Sequence, residues 1–414
     1  MLKRILFIAV CLLPGALFAQ DASNMLPQKD STIKKDTANQ VDLIDIAKDV
    51  FHFHGTKVKQ EKGKRVYFSF LPTSSSVPGG GGRALVTSTT AGWYLGPRKT
   101  TNLSSINFAP YWNFGSRYGL PLRSNVWLPN NTWLIQGDMR FLVYPQYTWG
   151  LGNQTNEDRK ILLDYKYIRF YQSALKRIKP YLFAGLGYNL DYYFGIKSDE
   201  PTVAAKDFVN YPFGTGSHSF SSGLTFNLLY DTRNNSLNPL PGAYANIVLR
   251  VNPTFLGSNQ NWHSLFLDFR KYLAMNPANP TQQNTLAFWT YFWSVLDSNA
   301  PYLSLPSIGW DPYNRSGEGI EQNRYRGKSL FYFQGEYRRD ITRNGLLGFV
   351  VFASATTVSN SGQDVSGNIF TSWHPAAGTG LRVKFNKGSN TNIGMDFAGS
   401  KGYSTVIFNI GEAF

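Results

Sequence analysis

Residues 376–414 read AAGTGLRVKFNKGSNTNIGMDFAGSKGYSTVIFNIGEAF, and the period of this stretch is two. Thr379, Leu381, Val383 and Phe385 alternate with Gly380, Arg382 and Lys384. Ile393, Met395 and Phe397 alternate with Gly394, Asp396 and Ala398, and Val406, Phe408 and Ile410 with Thr405, Ile407 and Asn409. Successive side chains of a strand point to opposite faces, so each run has one apolar face and one mixed polar face. Strands that separate lipid from a wet lumen have this character.

The pattern extends back to Arg83. Leu224, Phe226, Leu228 and Tyr230 repeat it, whereas Thr285–Leu296 is apolar on both faces. Strands are predicted at 84–95, 104–113, 118–127, 131–145, 160–172, 180–194, 218–231, 242–253, 262–274, 284–296, 328–339, 345–357, 374–386, 391–400 and 403–413. Each has roughly the length a tilted strand needs to cross a bilayer. Single-chain bacterial barrels have an even number of strands, so one more is expected, between 66 and 131, for about sixteen. The loops sort by side. Connections at 232–241, 275–284, 340–344 and 386–391 are short, and those at 195–217, 297–327 and 358–373 are long. Short turns on one side and long loops on the other belong to outer-membrane barrels. A soluble β-sandwich or propeller, the competing all-β reading, has no reason to sort them. The fold class expected is all-β, a transmembrane antiparallel β-barrel with a short N-terminal periplasmic segment.

Composition agrees. Charged residues make up 16% of the 414, well under the ~25% of soluble chains, and aromatic residues 15%. Mean hydropathy is −0.27, which excludes a bundle of membrane helices. Met1–Gln20, MLKRILFIAVCLLPGALFAQ, has a basic start, an apolar stretch and a small-residue exit, so residues 1–19 read as a signal peptide cut after Ala19. The single cysteine, Cys11, would leave with it, and no disulfide is expected. Residues 20–65 read as a periplasmic lead with one short amphipathic helix at 41–51, either a plug or docking helix or a cap at the barrel mouth. The barrel is placed at 66–414.

The formal charge of +15 falls to +13 without Lys3 and Arg4. The basic residues are scattered, without a recognition motif, so no nucleic acid is expected. The charge suits contact with outer-membrane lipid and lipopolysaccharide, or a lumen lined by Arg and Lys. His52 and His54 share a strand face but lack a third ligand, and His218, His263 and His374 stand alone, so no metal is expected. The GGGGR run at 79–83 has no following helix to make a phosphate cradle. No catalytic pattern or cofactor motif is present, and no enzyme activity is expected.

Three segments carry a likeness: GLTFNLLYDTRNNSLNPLPGAY at 223–244, Tyr325-Arg326-Gly327 followed by LFYFQGEYR at 330–338, and the closing AAGTGLRVKF, NIGMDFA and STVIFNIGEAF. In this order they resemble the bacterial surface antigen family, the outer-membrane barrels of BamA and TamA type. Trp149-Gly150-Leu151-Gly152-Asn153 also looks like a loop of that family. The resemblance implies an inward-folded loop carrying Tyr325, Arg326 and Gly327. The Arg of this motif would be held by acidic partners on the next two strands, where Glu336 matches and Phe352-Ala353-Ser354 has Ser in place of Asp. It also implies a C-terminal barrel signal on one face, Val406, Phe408, Ile410 and Phe414, interrupted by Glu412. Family members of the assembly type carry periplasmic POTRA repeats, for which residues 20–65 are too short. The implied role is insertion or translocation of outer-membrane protein or lipid, or membership of such a complex with other outer-membrane proteins or assembly factors. A loop-gated channel or a purely structural barrel is the alternative.

Overall fold

A computed structural model describes residues 40–50, 67–76, 83–153, 155–198, 206–233, 238–239, 241–277, 279, 282–359, 368–387 and 390–414. The expected signal peptide, His52, His54 and Gly79–Gly82 lie outside the described residues. The described strands are β1 (Tyr67–Ser76), β2 (Arg83–Trp93), β3 (Ser104–Phe108 and Tyr111–Trp112), β4 (Tyr118–Trp127) and β5 (Trp133–Val143 and Gln146–Thr148). Next come β6 (Ile161–Lys179), β7 (Leu182–Ser198), β8 (His218–Asp231), β9 (Gly242–Asn252), β10 (Trp262–Ala274) and β11 (Asn284–Val295). The last five are β12 (Ser329–Asp340), β13 (Leu347–Val358), β14 (His374–Asn386), β15 (Thr391–Ser400) and β16 (Tyr403–Ile410). The two pieces of β3 pair with the same neighbours, and both pieces of β5 lie on β6, so each counts as one broken strand.

Every strand is antiparallel to the next, from β1 on β2 to β15 on β16. β16 comes back beside β1 with Cα atoms within 8 Å, so the sheet curls round to its own start. The sixteen strands match the expected number, and the unassigned one is β1. Its sequence, YFSFLPTSSS, has a proline and a serine run where alternation would have shown. Two boundaries are corrected, and the strand expected at 180–194 runs on to Ser198. The strand expected at 160–172 runs on to Lys179, because Ser173, Leu175 and Arg177 keep the period and Tyr181, at φ 63°, turns the chain in two residues.

The pattern of burial is the reverse of a soluble sheet. Leu120, Phe170, Leu186, Phe226, Val351, Leu381, Phe397 and Phe408 are exposed on the outside. Arg140, Asp191, Arg250, Asp268, Glu336, Arg382 and Asp396 are buried on the inside. No described helix is long and apolar enough to cross a membrane. The short helix α1 (Leu43–Val50) sits at the short-turn end. Asp42 accepts from Asp45 N (2.8 Å) and from Lys387 N (2.8 Å), Val41 N donates to Asn344 O (3.1 Å), and Lys387 bonds Asp45 (2.7 Å). It rests on the rim turns, as a mouth cap would. The hydrogen bond from Lys387 holds the Asp45 carboxyl below its ordinary value.

Candidate functional site: the occupied bore

The connection 296–328, between β11 and β12, folds into the barrel. Five residues in left-handed conformation curl it: Gly309, Asn314, Gly317, Gly319 and Asn323. At Gly319 a Cβ would lie 2.7 Å from the backbone nitrogen of Gly399 on β15, so the close approach to the wall requires glycine. At Gly327 a Cβ would meet Ser359 Oγ at 2.8 Å, which explains the glycine of the Arg-Gly motif. The loop packs a cluster of Ala300, Tyr302, Leu303, Leu305 and Trp310 against wall residues including Tyr165, Tyr193 and Trp262.

Arg326 is fully buried at the long-loop end. Its Nη1 donates to Tyr302 O (3.0 Å) and Leu305 O (3.4 Å), its Nη2 to Asn323 Oδ1 (3.0 Å), and the guanidinium lies over the Tyr302 ring at 5.0 Å. The Arg326–Glu336 pin implied by the resemblance is therefore not formed. Glu336 is seven residues beyond Ser329, at ~3.3 Å per residue some 23 Å down β12, while Arg326 stays at the head of the strand. Arg326 instead ties the loop to itself. Its carbonyl accepts from Gly152 N (2.8 Å), which joins the Trp149–Asn153 segment to the motif. Asn153 in turn donates to Val358 O (2.7 Å) and meets His374 (3.0 Å), on which Tyr325 stacks with ring centres 3.7 Å apart. Two segments singled out by resemblance are thus brought together, though not through a carboxylate.

Glu336 belongs to a second network nearer the short turns. Arg338 Nε donates to Glu336 Oε2 (2.7 Å) and Gln334 Nε2 to Oε1 (2.8 Å). Phe352 and Ser354 are buried and face inward, across the ladder from Glu336 and Gln334. On β14 and β15, Arg382 grips Asp396 (2.5 Å) and Glu412 (2.9 Å), and Asn392 donates to Glu412 (2.8 Å). Arg315 of the loop donates to Glu412 O at 2.5 Å, and Arg338 Nη2 to Phe414 O at 3.1 Å.

The expected terminal signal is therefore split. Val406 and Phe408 are exposed on the outside, and Ile410 ends the same face. Phe414 is not on that face. Gly411, at φ 85°, turns the chain into the bore, where Phe414 lies 5.3 Å from the Trp289 ring and 6.1 Å from Tyr272. Continued strand geometry would have aimed Glu412 at lipid, where a carboxylate is costly. Turned inward, it meets two guanidinium groups.

Loop and tail together fill the β11–β16 side of the bore. The opposite side is hollow, with a cavity of about 240 Å³ between the loop and the wall from β4 to β10, closed at its edge by Trp293 of β11 and lined by Arg123, Asp138, Asp191 and Arg250 among others. The wall carries a signal that the sequence reading passed over. An acidic residue two before an arginine recurs as Asp138/Arg140, Asp231/Arg233, Asp268/Arg270 and Glu336/Arg338, each pair bonded at 2.6–2.9 Å. Spacing of two places both partners on one strand face, so the pairs were readable once the period was known.

Comparison with known proteins places this geometry. A family model described as the Omp85 superfamily domain matches residues 138–290, from β5 into β11. Among solved structures, BamA from Haemophilus ducreyi lacking POTRA domains 1-3 is similar with TM-score 0.52 and 14% identity, over 86% of this chain and 73% of that one. CdiB from Escherichia coli gives TM-score 0.54 at 10% identity, over 86% of this chain and 68% of that one. CdiB from Acinetobacter baumannii gives 0.52 at 10%, over 84% and 65%. At such identities the structures speak for the fold. The curated proteins contain no match.

Proposed function

We propose that this Omp85-type outer-membrane β-barrel inserts or translocates protein or lipid at the outer membrane, alone or as part of a complex with other outer-membrane proteins. The observation that supports this reading is the seam between the first and last strands. β16 keeps its ladder on β15 to Ile410, with a further bond from Gly411 N to Asn392 O (2.8 Å), before residues 412–414 go into the bore. β1 and β16 come within 8 Å of each other, but among the described residues no ladder pairs them as it pairs each with its other neighbour. Strand edges that are not laddered to each other leave backbone groups that an incoming strand can satisfy by addition. Its outer neighbours in this reading are lipid and lipopolysaccharide along the exposed apolar belt, and residues 1–19 direct export and are removed with it. Reconstitution into lipid vesicles tests it. Folding of an added, urea-unfolded outer-membrane protein should be faster than with empty vesicles. Equal rates would contradict an insertase role.

A channel is the second reading, favoured by the hollow side of the bore. Conductance in planar bilayers that rises on Arg326→Ala would support it.

A further inference from the structure

The hollow side of the bore is chemically layered. Its middle layer is a row of uncharged polar groups in one register: Asn125 faces Gln136, Gln136 faces Ser173, Ser173 faces Gly187, and Gly187 faces Thr225. Within the row Gln136 Nε2 donates to Asn125 Oδ1 (3.0 Å), and Asn227, two residues along β8 toward the short turns, donates through Nδ2 to Thr225 Oγ1 (2.9 Å). A carboxamide offers two donors and an acceptor with two lone pairs, so these bonds leave most of its capacity unspent. Among the described residues, nothing bonds the side-chain amide of Asn246, which also lines the cavity. Toward the short turns the next layer is apolar: Leu134, Leu175, Phe183 and Leu229, all buried.

Toward the long loops the layer is charged, and its acids are taken. Asp191 holds Arg250 (2.5 Å) and accepts from Tyr171 (2.7 Å), and Asp138 holds Arg140 (2.6 Å) and Arg169 (3.4 Å). Arg123 is different. One of its terminal nitrogens donates to Pro312 O (2.9 Å), its Nε is 3.8 Å from Asp138, and a third of its side chain is exposed. Four arginines face two aspartates here, so the wall carries excess positive charge, with spare N–H groups on Arg123.

We propose that this chamber binds a small polyhydroxylated carboxylate, a sugar acid of monosaccharide size. A guanidinium with open donors suits one carboxylate, and a row of amides and hydroxyls suits adjacent hydroxyl groups. The charged aspartates, already compensated, offer nothing to a cation. The cavity far exceeds the ~10–15 Å³ one water needs and is below the ~300 Å³ where drug-sized pockets begin. This inference stands apart from the assembly reading and survives its failure.

Calorimetric titration of the purified barrel in detergent tests it, with gluconate as the probe and glucose and acetate as controls. Gluconate should bind saturably, and each control should bind at least about tenfold more weakly, the scale of one hydrogen bond to a charged group. Arg123→Gln and Asn246→Leu should each weaken gluconate by about tenfold while the heat-modifiable mobility of the barrel on gels is unchanged. Should either variant fail to fold, Thr225→Val tests the same row with a near-isosteric change. Absence of saturable gluconate binding overturns the proposal. So does gluconate affinity that the folded variants leave intact, or glucose binding as tightly as gluconate.

Discussion

The two sides of the bore carry different inward residues, charged pairs on one and neutral amides on the other, and only one of them is filled. On the β11–β16 side, Glu336, Arg338, Arg382, Asp396 and Glu412 are each at most 5% exposed, and loop and tail lie on them. On the β4–β9 side, Asn125, Gln136, Asn227 and Asn246 remain partly exposed around a cavity. What differs is reach. Arg338 on β12 and Arg382 on β14 bond the tail, at Phe414 O and the Glu412 carboxylate, and the tail bonds Arg315 of the loop. On β4 and β5, Arg123 and Arg140 reach the loop at Pro312 O. The short amides on β4–β9 bond mostly their neighbours and leave space. Substitutions on the two sides should therefore differ in size.

The largest effect is expected from Arg382→Ala. It leaves Glu412 and Asp396 without their main cation in a buried site, which should cost about 3–5 kcal/mol. Loss of heat-modifiable mobility or a lower urea midpoint would register it. Arg326→Ala strands no carboxylate, because its partners are two carbonyls and an amide oxygen. It should cost about 1.5–3 kcal/mol and show in protease cleavage within 296–328. An Arg326 effect equal to that of Arg382 would erase the distinction between a self-tied loop and a charge-tied wall. Asn246→Ala, on the hollow side, should change stability by less than about 0.5 kcal/mol, by the same urea measurement.

The smallest effect concerns α1. The Asp45–Lys387 bond joins side chains 31% and 29% exposed, so it should contribute no more than about 1 kcal/mol. With the folded value of Asp45 below its ordinary 3.8, this contribution is complete above that value and fades as pH falls through the folded value. Protection of the Val41 amide against hydrogen exchange should therefore be flat from neutral pH to pH ~5 and fall only in stronger acid.

How much of this was legible follows from period and spacing. Alternation in β14–β16 disclosed the wall, because lipid and water impose opposite demands on successive residues. β1 escaped notice because Pro72 and Ser74–Ser76 do not alternate in polarity. The likeness singled out Gly327 without its reason, a close contact with Ser359, and it gave Arg326 a partner that the structure does not. Strand distance, rather than residue type, separates it from Glu336. The inward turn of the tail had a visible cue in Gly411-Glu412, since an acid on the lipid face asks for another destination. Asp-x-Arg pairs were equally visible and carried much of the bore's chemistry. The inward fold of 296–328 came from the family likeness alone, and its course within the bore was not legible, because it depends on five left-handed residues and on contacts from distant strands.

The central claim is that one face of each strand meets lipid while the other meets a partly wet interior. Single-cysteine spin labels at Leu381, Phe397 and Phe408, set against labels at Asn227 and Asn246, test it in lipid bilayers. Collision with oxygen dissolved in lipid should dominate at the first three positions, and collision with a water-soluble nickel chelate or slow, shielded relaxation at the other two. Water-soluble relaxation at Leu381, Phe397 and Phe408, together with oxygen access at Asn227 and Asn246, would contradict it.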